Sequence, residues 1–208
     1  MNASQAARLR IEPATHQDLA PILCIEQASF SSPWTRKMFE VELSHNPFGR
    51  FLTARFDPDG GARKGDLVGY MCYWLVFDEL RLMNLAVEPS MRRRGIASDL
   101  VGHMLSVGRE SGAVRAVLEV RASNVAARSL YERVGFRQVA LRRRYYTDPV
   151  EDAVLLGMEP LQEYSPSLRR EPDACGRGAH AVGDRALKPS EVEGICADGS
   201  QENKRCRM

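Results

Sequence analysis

The sequence lacks any hydrophobic run long enough to cross a membrane, and it has few cysteines. Its most apolar stretch, Val68 to Phe77, is about half of the roughly 20 residues that a membrane helix needs. The five cysteines include no Cys-x-x-Cys pair, which argues against a disulfide framework and against a structural zinc site. The N-terminal segment lacks the basic start, apolar core and cleavage site of an export signal. We therefore expect a cytoplasmic protein without a membrane segment and without a bound metal.

A strong excess of one charge is also missing. The 29 basic and 27 acidic side chains give a formal net charge of +2, which is too small to indicate binding of nucleic acid or of a membrane surface by the whole chain. The sequence contains neither the Walker phosphate-binding motif nor the Rossmann glycine fingerprint. The class of partner therefore has to be inferred from local features.

Residues 161–208 differ in composition from the rest of the chain. These 48 residues contain only six Leu, Ile or Val and no Phe or Trp, with eight acidic and eight basic side chains mixed together. Such a segment cannot bury enough apolar surface to offset the entropy lost on ordering it. The sequence therefore predicts one folded domain over residues 1–160 and a disordered C-terminal tail over residues 161–208.

The predicted domain alternates between strand and helix periodicity, in the order strand, two helices, three strands, helix, strand, helix and two strands. The predicted strands are Leu9–Ile11, Arg50–Phe56, Leu67–Phe77, Arg81–Val87, Val117–Val120, Phe136–Leu141 and Ala153–Met158. The predicted helices start at Thr15, Thr35, Ile96 and Asn124 and end near Ala28, Asn46, Arg109 and Val134. This order predicts an α/β (α+β) protein whose mixed sheet carries helices on its faces.

The segment from Glu88 to Ser98 lies between a predicted strand and the start of a long predicted helix. A helix start exposes unpaired backbone N–H groups and a partial positive charge, so this turn is suited to an anion. Gly95 and Ala97 let a ligand approach the backbone closely, and the arginines at 92–94 add positive charge. A pyrophosphate fits these features, and a solvated basic loop is the alternative.

The pattern Arg92-x-x-Gly95-x-Ala97 resembles the acetyl-coenzyme A (acetyl-CoA) pyrophosphate loop of the GNAT N-acetyltransferases. Further blocks are similar to the RimI branch of that superfamily, whose members acetylate the N-terminal alanine of a small-subunit ribosomal protein. These blocks are Asn84–Pro89, Leu118–Asn124, Leu130–Phe136, Arg144–Tyr146 and Glu151–Ala153. The resemblance covers roughly residues 8 to 160.

The resemblance implies a GNAT fold, a twisted and mostly antiparallel sheet of about seven strands with helices on both faces. It implies acetyl-CoA as co-substrate, no metal, and a protein N-terminus as acceptor, with a small-subunit ribosomal protein as the expected substrate. The acceptor amine then attacks the thioester directly, without a covalent acyl-enzyme. The residues implied in coenzyme binding are Leu85, Ala86 and Val87 on the strand, Arg93, Arg94, Gly95, Ile96, Ala97 and Ser98 on the loop and helix, and Asn124.

Glu119 interrupts the apolar strand that contains Leu118 and Val120. A carboxylate in such a strand must be hydrogen-bonded, paired or placed at a cleft. From the residues alone we favour an ion pair with an arginine, whereas the resemblance implies a general base. Because an α-amino group has an unperturbed pKa of about 7.7–8.0, only modest base assistance is needed, directly or through one water.

Tyr131 lies in the predicted helix that starts at Asn124. A lone helical tyrosine is most simply explained by packing of the helix on the sheet. The resemblance implies instead that Tyr131 is the general acid that protonates the departing coenzyme A thiolate. A phenol with a pKa near 10 stays protonated at neutral pH and can donate a proton.

Four other positions carry open alternatives. Asn124 either reaches the coenzyme or is a plain helix cap. The resemblance implies that Trp34 and the pair Tyr145-Tyr146 flank a peptide groove, and a hydrophobic plug is the equal alternative. Cys24 and Cys72 are predicted to be small core residues.

Two other functions are compatible with these residues. The same fold could acetylate another protein N-terminus, a lysine or a small-molecule amine. A protein of a different class, a non-catalytic RNA-binding module, could use the basic triplets at residues 92–94 and 142–144. The presence of both Glu119 and Tyr131 counts against that module, and direct nucleic-acid binding is not expected.

Overall fold

The computed structural model describes residues 8–57 and 65–162. The strands are β1 (Arg8–Pro13), β2 (Gly49–Asp57), β3 (Asp66–Val76), β4 (Glu79–Val87), β5 (Arg115–Arg121), β6 (Arg137–Thr147) and β7 (Val150–Met158). The α-helices are α1 (Leu19–Ser29), α2 (Arg36–Ser44), α3 (Ile96–Glu110) and α4 (Val125–Val134). Most of the turn predicted after Phe56 and all of the predicted tail from residue 163 onward lie outside the described residues.

All seven strands form one sheet in the order β1-β2-β3-β4-β5-β7-β6. Neighbouring strands are antiparallel except β4 and β5, which are parallel. This arrangement and the order of the elements along the chain confirm the predicted fold class.

The two central parallel strands separate part of the way along their length. Their pairing runs from Glu79–Arg115 to Leu82–Leu118. Beyond that point β4 continues to pair with β3 as far as Val87, and β5 continues to pair with β7. A bulge at Met83, which has no counterpart on β3, lies where the separation begins. Because a bulge bends a strand and increases its twist, it helps to turn β4 away from β5.

Each face of the sheet has its own hydrophobic cluster. The larger cluster lies under α3 and α4 and includes Leu80, Leu100 and Tyr131. The smaller cluster lies under α1 and α2 and includes Trp34 and Phe39. On one face of the sheet, α1 and α2 cover the strands up to β4 but do not cover β5 and β6. The charged side chains of β5 and β6 on this face therefore border an open cleft.

Gly108 allows α3 to lie close to the sheet. A Cβ added at this position would stand 2.9 Å from the Leu80 Cγ atom on β4, with no space to accommodate it. The close packing fixes α3 against the same strand whose far end leads into the Arg92–Gly95 loop.

Several boundaries differ from the sequence expectation. β6 and β7 are longer than predicted and form a hairpin that turns at Asp148 and Pro149. At the first helix, Thr15 and Asp18 form a capping box around a short 3-10 turn, and α1 begins only at Leu19. Cys72 is buried as expected. The prediction for Cys24 is wrong, because it lies on the exposed face of α1.

Candidate active site

The start of α3 presents backbone amides to the end of β4. Gly95 caps the helix with φ +84°, in the left-handed region that favours glycine. The Asp99 amide donates to the Gly95 carbonyl at 3.0 Å, so the amides of Ile96, Ala97 and Ser98 precede this first helical bond. Amides at this position, together with the helix dipole, can bind an anion.

The three arginines of the loop have different surroundings. Arg92 points inward, where its Nε donates to the Val87 carbonyl at 2.9 Å and its Nη2 donates to Ser29 Oγ at 2.8 Å. Burial lowers the pKa of Arg92. Arg93 and Arg94 are exposed. Arg92 therefore fixes the loop to β4 and α1, a role that the sequence analysis missed, whereas the contact of Arg93 and Arg94 with the coenzyme stays a prediction.

Leu85, Ala86 and Val87, the strand residues predicted to bind the coenzyme, all lie beyond the point where β4 leaves β5. On one side their backbone is paired with β3. In the described part of the chain the ladder with β5 stops at Leu82, so the opposite edge of this segment faces the separation. An extended chain with amide groups, such as a pantetheine arm, matches such an edge because it can supply the missing strand pairing.

Glu119 lies just past the separation on β5. Its side chain is only 5% exposed, and Arg142 donates to its Oε1 at 2.7 Å. The ion pair considered from the sequence is therefore present. The pair borders a cleft of about 230 Å³, and the base role of Glu119 stays a prediction. The cleft is lined by Glu79, Arg81, Leu82, Met83, Val117, Leu118, Glu119, Arg142 and Leu155.

A second group of charges lines the β4 side of the same cleft. Glu79 accepts from Arg81 at 2.7 Å and from Arg115 at 2.8 Å. Partial burial opposes its ionisation, but these two hydrogen bonds outweigh burial and lower the pKa of Glu79. The β4 charges are thus paired with one another and with Arg115.

Tyr131 is 4% exposed on α4, and its ring packs edge-on against Phe136 at 5.9 Å. The packing role considered from the sequence is thus present, and the acid role stays a prediction. Asn124 accepts the Ala127 amide at 3.0 Å and so caps α4. Its contact with the coenzyme also stays a prediction. Asn124 caps and Tyr131 lies in the helix that follows β5 along the chain, so α4 begins beside the end of the strand that carries Glu119.

Trp34 and the loop before α2 are held by a buried carboxylate. The Trp34 amide donates to Glu26 Oε1 at 2.5 Å, Tyr70 donates to Glu26 Oε2, and Asn84 donates to the same oxygen at 3.3 Å. Burial, followed by the Glu26 charge, raises the pKa of Tyr70 well above its ordinary value. The Trp34 ring packs against Phe39 at 5.4 Å, as a hydrophobic plug does. The sequence analysis missed Glu26, since a single acidic residue in a helix resembles an exposed position.

The tyrosine pair comes from an irregular part of β6. Between Arg142 and Tyr146 the pairing with β7 shifts, and Arg144 has φ +52°. The Asp152 side chain accepts the Arg144 amide at 2.7 Å and so supports this bulge. Tyr145 packs against the cluster under α1 and α2, so it bridges from β6 towards the other side of the cleft.

Tyr146 is held separately. It is buried beneath the guanidinium of Arg121, which lies 4.1 Å from the ring centroid. The same arginine donates to the Asp148 carbonyl at 2.9 Å and therefore also orders the β6–β7 turn.

The described part of the chain lacks two kinds of feature. Within residues 8–57 and 65–162, no three His, Cys, Asp or Glu side chains are grouped as metal ligands are. The helices in those ranges are all too short or too polar to cross a bilayer.

Comparison with known proteins gives a consistent result. The model of the Acetyltransferase (GNAT) family matches residues 19–136. Over 143 residues the chain is 34% identical to the ribosomal protein bS18 alanine N-acetyltransferase of Escherichia coli (strain K12), covering 68% of this chain and 90% of the relative. Over 151 residues it is 30% identical to the protein of that name from Haemophilus ducreyi, covering 71% of this chain and 98% of the relative.

The fold agrees with a solved structure of the same kind. The crystal structure of the ribosomal-protein-S18-alanine N-acetyltransferase from Escherichia coli superposes with a TM-score of 0.65 and 30% sequence identity, covering 76% of this chain and 97% of that one. The family match includes the separating strands, the Arg92–Gly95 loop, Glu119 and Tyr131. The chain belongs to the GNAT acetyltransferase family.

Proposed function

We propose that this protein transfers the acetyl group of acetyl-CoA to the N-terminal α-amino group of a protein, with the N-terminal alanine of ribosomal protein bS18 as its acceptor. The observation that carries the proposal is the separation of β4 and β5. The first turn of α3, with its free backbone amides, lies at one end of this separation, and the buried carboxylate of Glu119, paired with Arg142, lies at its edge. The choice of acceptor is supported by relatives of that name, which this chain matches over nine-tenths of their length.

In this proposal, backbone groups make most of the contacts with the coenzyme. The amides of Gly95, Ile96, Ala97 and Ser98 meet the pyrophosphate, with Arg93 and Arg94 adding charge. Leu85, Ala86 and Val87 offer strand edges to the pantetheine amides, and Asn124 contacts the coenzyme from the start of α4. Bound acetyl-CoA supplies an activated acetyl thioester.

The side chains of Glu119 and Tyr131 are assigned to proton transfer. The Glu119 carboxylate takes the proton that the acceptor nitrogen loses when it bonds to the acetyl carbon. The Tyr131 hydroxyl gives a proton to the sulfur that leaves. The nitrogen thereby gains the acetyl group and the sulfur becomes a thiol, so no acyl group is held by the protein.

The acceptor is assigned to the cleft on the α1–α2 side. Glu119 and Arg142 form its charged wall, and Tyr145 bridges towards the cluster that contains Trp34. This position brings an N-terminal amine to the Glu119 carboxylate from the side opposite to α3.

The assay that tests this function measures thiol release from acetyl-CoA with peptides that begin with Ala, Ser, Gly or Met, and identifies the modified atom by mass spectrometry. We expect the bS18 peptide that begins with Ala to be acetylated at its α-amino group. The control is the same peptide with a blocked N-terminus and an internal lysine, which we expect to stay unmodified. Equal acetylation of the blocked peptide would favour a lysine acetyltransferase, and no modification of any peptide would favour a small-molecule acceptor.

The proposal also covers the residues needed for catalysis and the location of the protein in the cell. We assign acetyl transfer to residues 1–160 and a cytoplasmic location to the protein, where ribosomal proteins are made. Leu161 packs against the larger cluster, and its amide donates to the Val114 carbonyl at 2.9 Å. Residues beyond this contact are not assigned a part in catalysis.

A further inference from the structure

Arg142 on β6 contacts Glu119 on β5, although β5 and β6 are not neighbours in the sheet. β7 lies between β5 and β6 in the sheet. Arg142 is level with Ala153 on β7, and Glu119 is level with Leu155. The small side chain of Ala153 leaves room for the guanidinium to cross β7 diagonally and to donate to Glu119 Oε1 at 2.7 Å. Such a crossing joins two strands roughly 10 Å apart, which a long arginine side chain can span.

The carboxylate needs this partner because it is buried. Removing a carboxylate from water favours its protonated form, and a cation in direct contact opposes this change. A base that is protonated before the acceptor arrives cannot accept a proton.

Charged residues on the neighbouring strands take part in ion pairs of their own. On β4, Glu79 and Arg81 are bonded to each other at 2.7 Å. On β7, the residue level with Glu119 is the apolar Leu155. On β5 itself, Arg121 pairs with Glu151 at 3.3 Å and with the β6–β7 turn. Arg142 on β6 donates directly to the carboxylate.

Arg142 also contacts the wall of the cleft. Its guanidinium lies 5.6 Å from the centroid of the Tyr145 ring, and its side chain is 38% exposed. The arginine is therefore held from two sides while one edge stays open to the cleft.

We infer that Arg142 is a positioning residue that keeps Glu119 ionised and fixed at the lip of the cleft, and so sets the lower pH limit of acetyl transfer. This inference rests on the proposed function of Glu119 as the base. In this role Arg142 acts through Glu119 and does not contact the reacting atoms.

The test compares the full-length protein with its Arg142→Gln and Arg142→Lys variants over pH 5.5 to 9, using a peptide that begins with Ala. We expect Arg142→Gln to lose about 10-fold in kcat/KM at pH 6 and to come within about two-fold of the unchanged protein at pH 9, since an opposite charge in contact shifts a carboxyl pKa by about 1–3 units. Arg142→Lys retains the charge, so its pH profile should keep the original shape. The KM for acetyl-CoA should not change in either variant.

Arg143→Gln is the matched control, because it removes an exposed charge from the next position of the same strand. We expect its pH profile to be parallel to that of the unchanged protein. In a Glu119→Gln background, Arg142→Gln should have no further pH-dependent effect. A deficit of Arg142→Gln that is the same at every pH, or a shift as large in Arg143→Gln, would overturn the inference.

A readout that needs no activity separates this inference from the proposed function. Carbon-13 NMR of labelled glutamate, with the Glu119 signal identified by its loss in Glu119→Gln, gives the pKa of that carboxyl. We expect the pKa to rise by about one unit or more in Arg142→Gln and to stay the same in Arg143→Gln. An unchanged pKa would refute the role of Arg142 even if the enzyme is active, and a raised pKa in a protein that acetylates no peptide would refute only the proposed function.

Discussion

The two ends of the proposed site consist of different chemical groups, backbone amides at one end and side chains at the other. On the proposed coenzyme side, a short continuous segment from β4 to the start of α3 supplies backbone amides, one left-handed glycine and an arginine that fixes the loop. On the proposed acceptor side, the groups are side chains from α1, β5 and β6 that meet only through the fold. A backbone site is specified locally, whereas a side-chain site depends on strand register and on ion pairs. Binding of the coenzyme and proton transfer should therefore fail separately.

The largest effect is expected from Gly95→Val. A β-branched residue is strained at φ +84°, and its side chain would enter the space before the α3 amides. We expect binding of coenzyme A to become undetectable by calorimetry while the protein remains folded. Gly112→Val is the matched control, because Gly112 has φ +86° and open space around an added Cβ at the other end of α3. Equal loss of binding in both variants would show that backbone strain is responsible, and not loss of the anion site at the start of α3.

Tyr131→Phe comes next. The change keeps the ring that packs against Phe136 and removes the hydroxyl. We expect kcat to fall by roughly 100-fold or more with little change in coenzyme affinity, because a proton donor contributes about that factor. Steady-state kinetics and calorimetry on the same preparation check both parts. A wild-type kcat would reduce Tyr131 to a packing residue.

A smaller effect, on the stability of the fold, is expected from a change at Glu151 in the β6–β7 hairpin. Partial burial opposes ionisation of Glu151, but the Ser123 amide, which donates at 2.5 Å, and Arg121 outweigh burial and lower the pKa of this carboxyl. Because the folded-state pKa is lower than the unfolded value of about 4.3, the stabilisation is present above that pH and is lost as pH falls through the folded-state pKa.

Glu151→Gln should therefore reduce the free energy of unfolding by about 1–2 kcal/mol at pH 7. The difference from the unchanged protein should disappear at pH values below the folded-state pKa. Urea unfolding at a series of pH values measures it, with the exposed Glu132→Gln as control. A difference that persists at the acidic end would mean that the charge of Glu151 is not the cause.

The smallest effect is expected from removal of residues 165–208. The cut leaves Leu161 and its contact with Val114 in place. We expect the melting temperature and kcat/KM to stay unchanged within error. A large fall in either would contradict the assignment of catalysis to residues 1–160.

The elements of the proposed coenzyme side could be predicted from sequence because their signals are local. The Gly95 turn, the arginines and the start of α3 are adjacent in the chain, and hydrophobic periodicity predicts each element that carries them. The order of the elements was predicted for the same reason. The separation of β4 from β5 was not, since the register that ends at Leu82 and Leu118 is a property of two strands far apart in sequence.

The acceptor side shows what local pattern misses. The arginines that follow Leu141 resemble the end of a strand, so β6 was predicted too short and Arg142 was assigned no structural role. Glu26 was overlooked because one carboxylate in a helix gives no sign that three elements converge on it. Both residues matter only because the sheet brings distant parts of the chain together.

The most direct measurement is the pair of pH–rate profiles for Glu119→Gln and Tyr131→Phe, taken with an Ala peptide at saturating acetyl-CoA, together with the coenzyme affinity of each variant. The account predicts normal coenzyme binding in both. It predicts that the Glu119→Gln deficit shrinks as pH rises through the amine pKa of about 8, since less base assistance is then needed. The Tyr131→Phe deficit should stay constant, because the donor is absent at every pH. Parallel profiles, with Glu119→Gln as poor at pH 9 as at pH 7, would contradict the separate roles of base and acid.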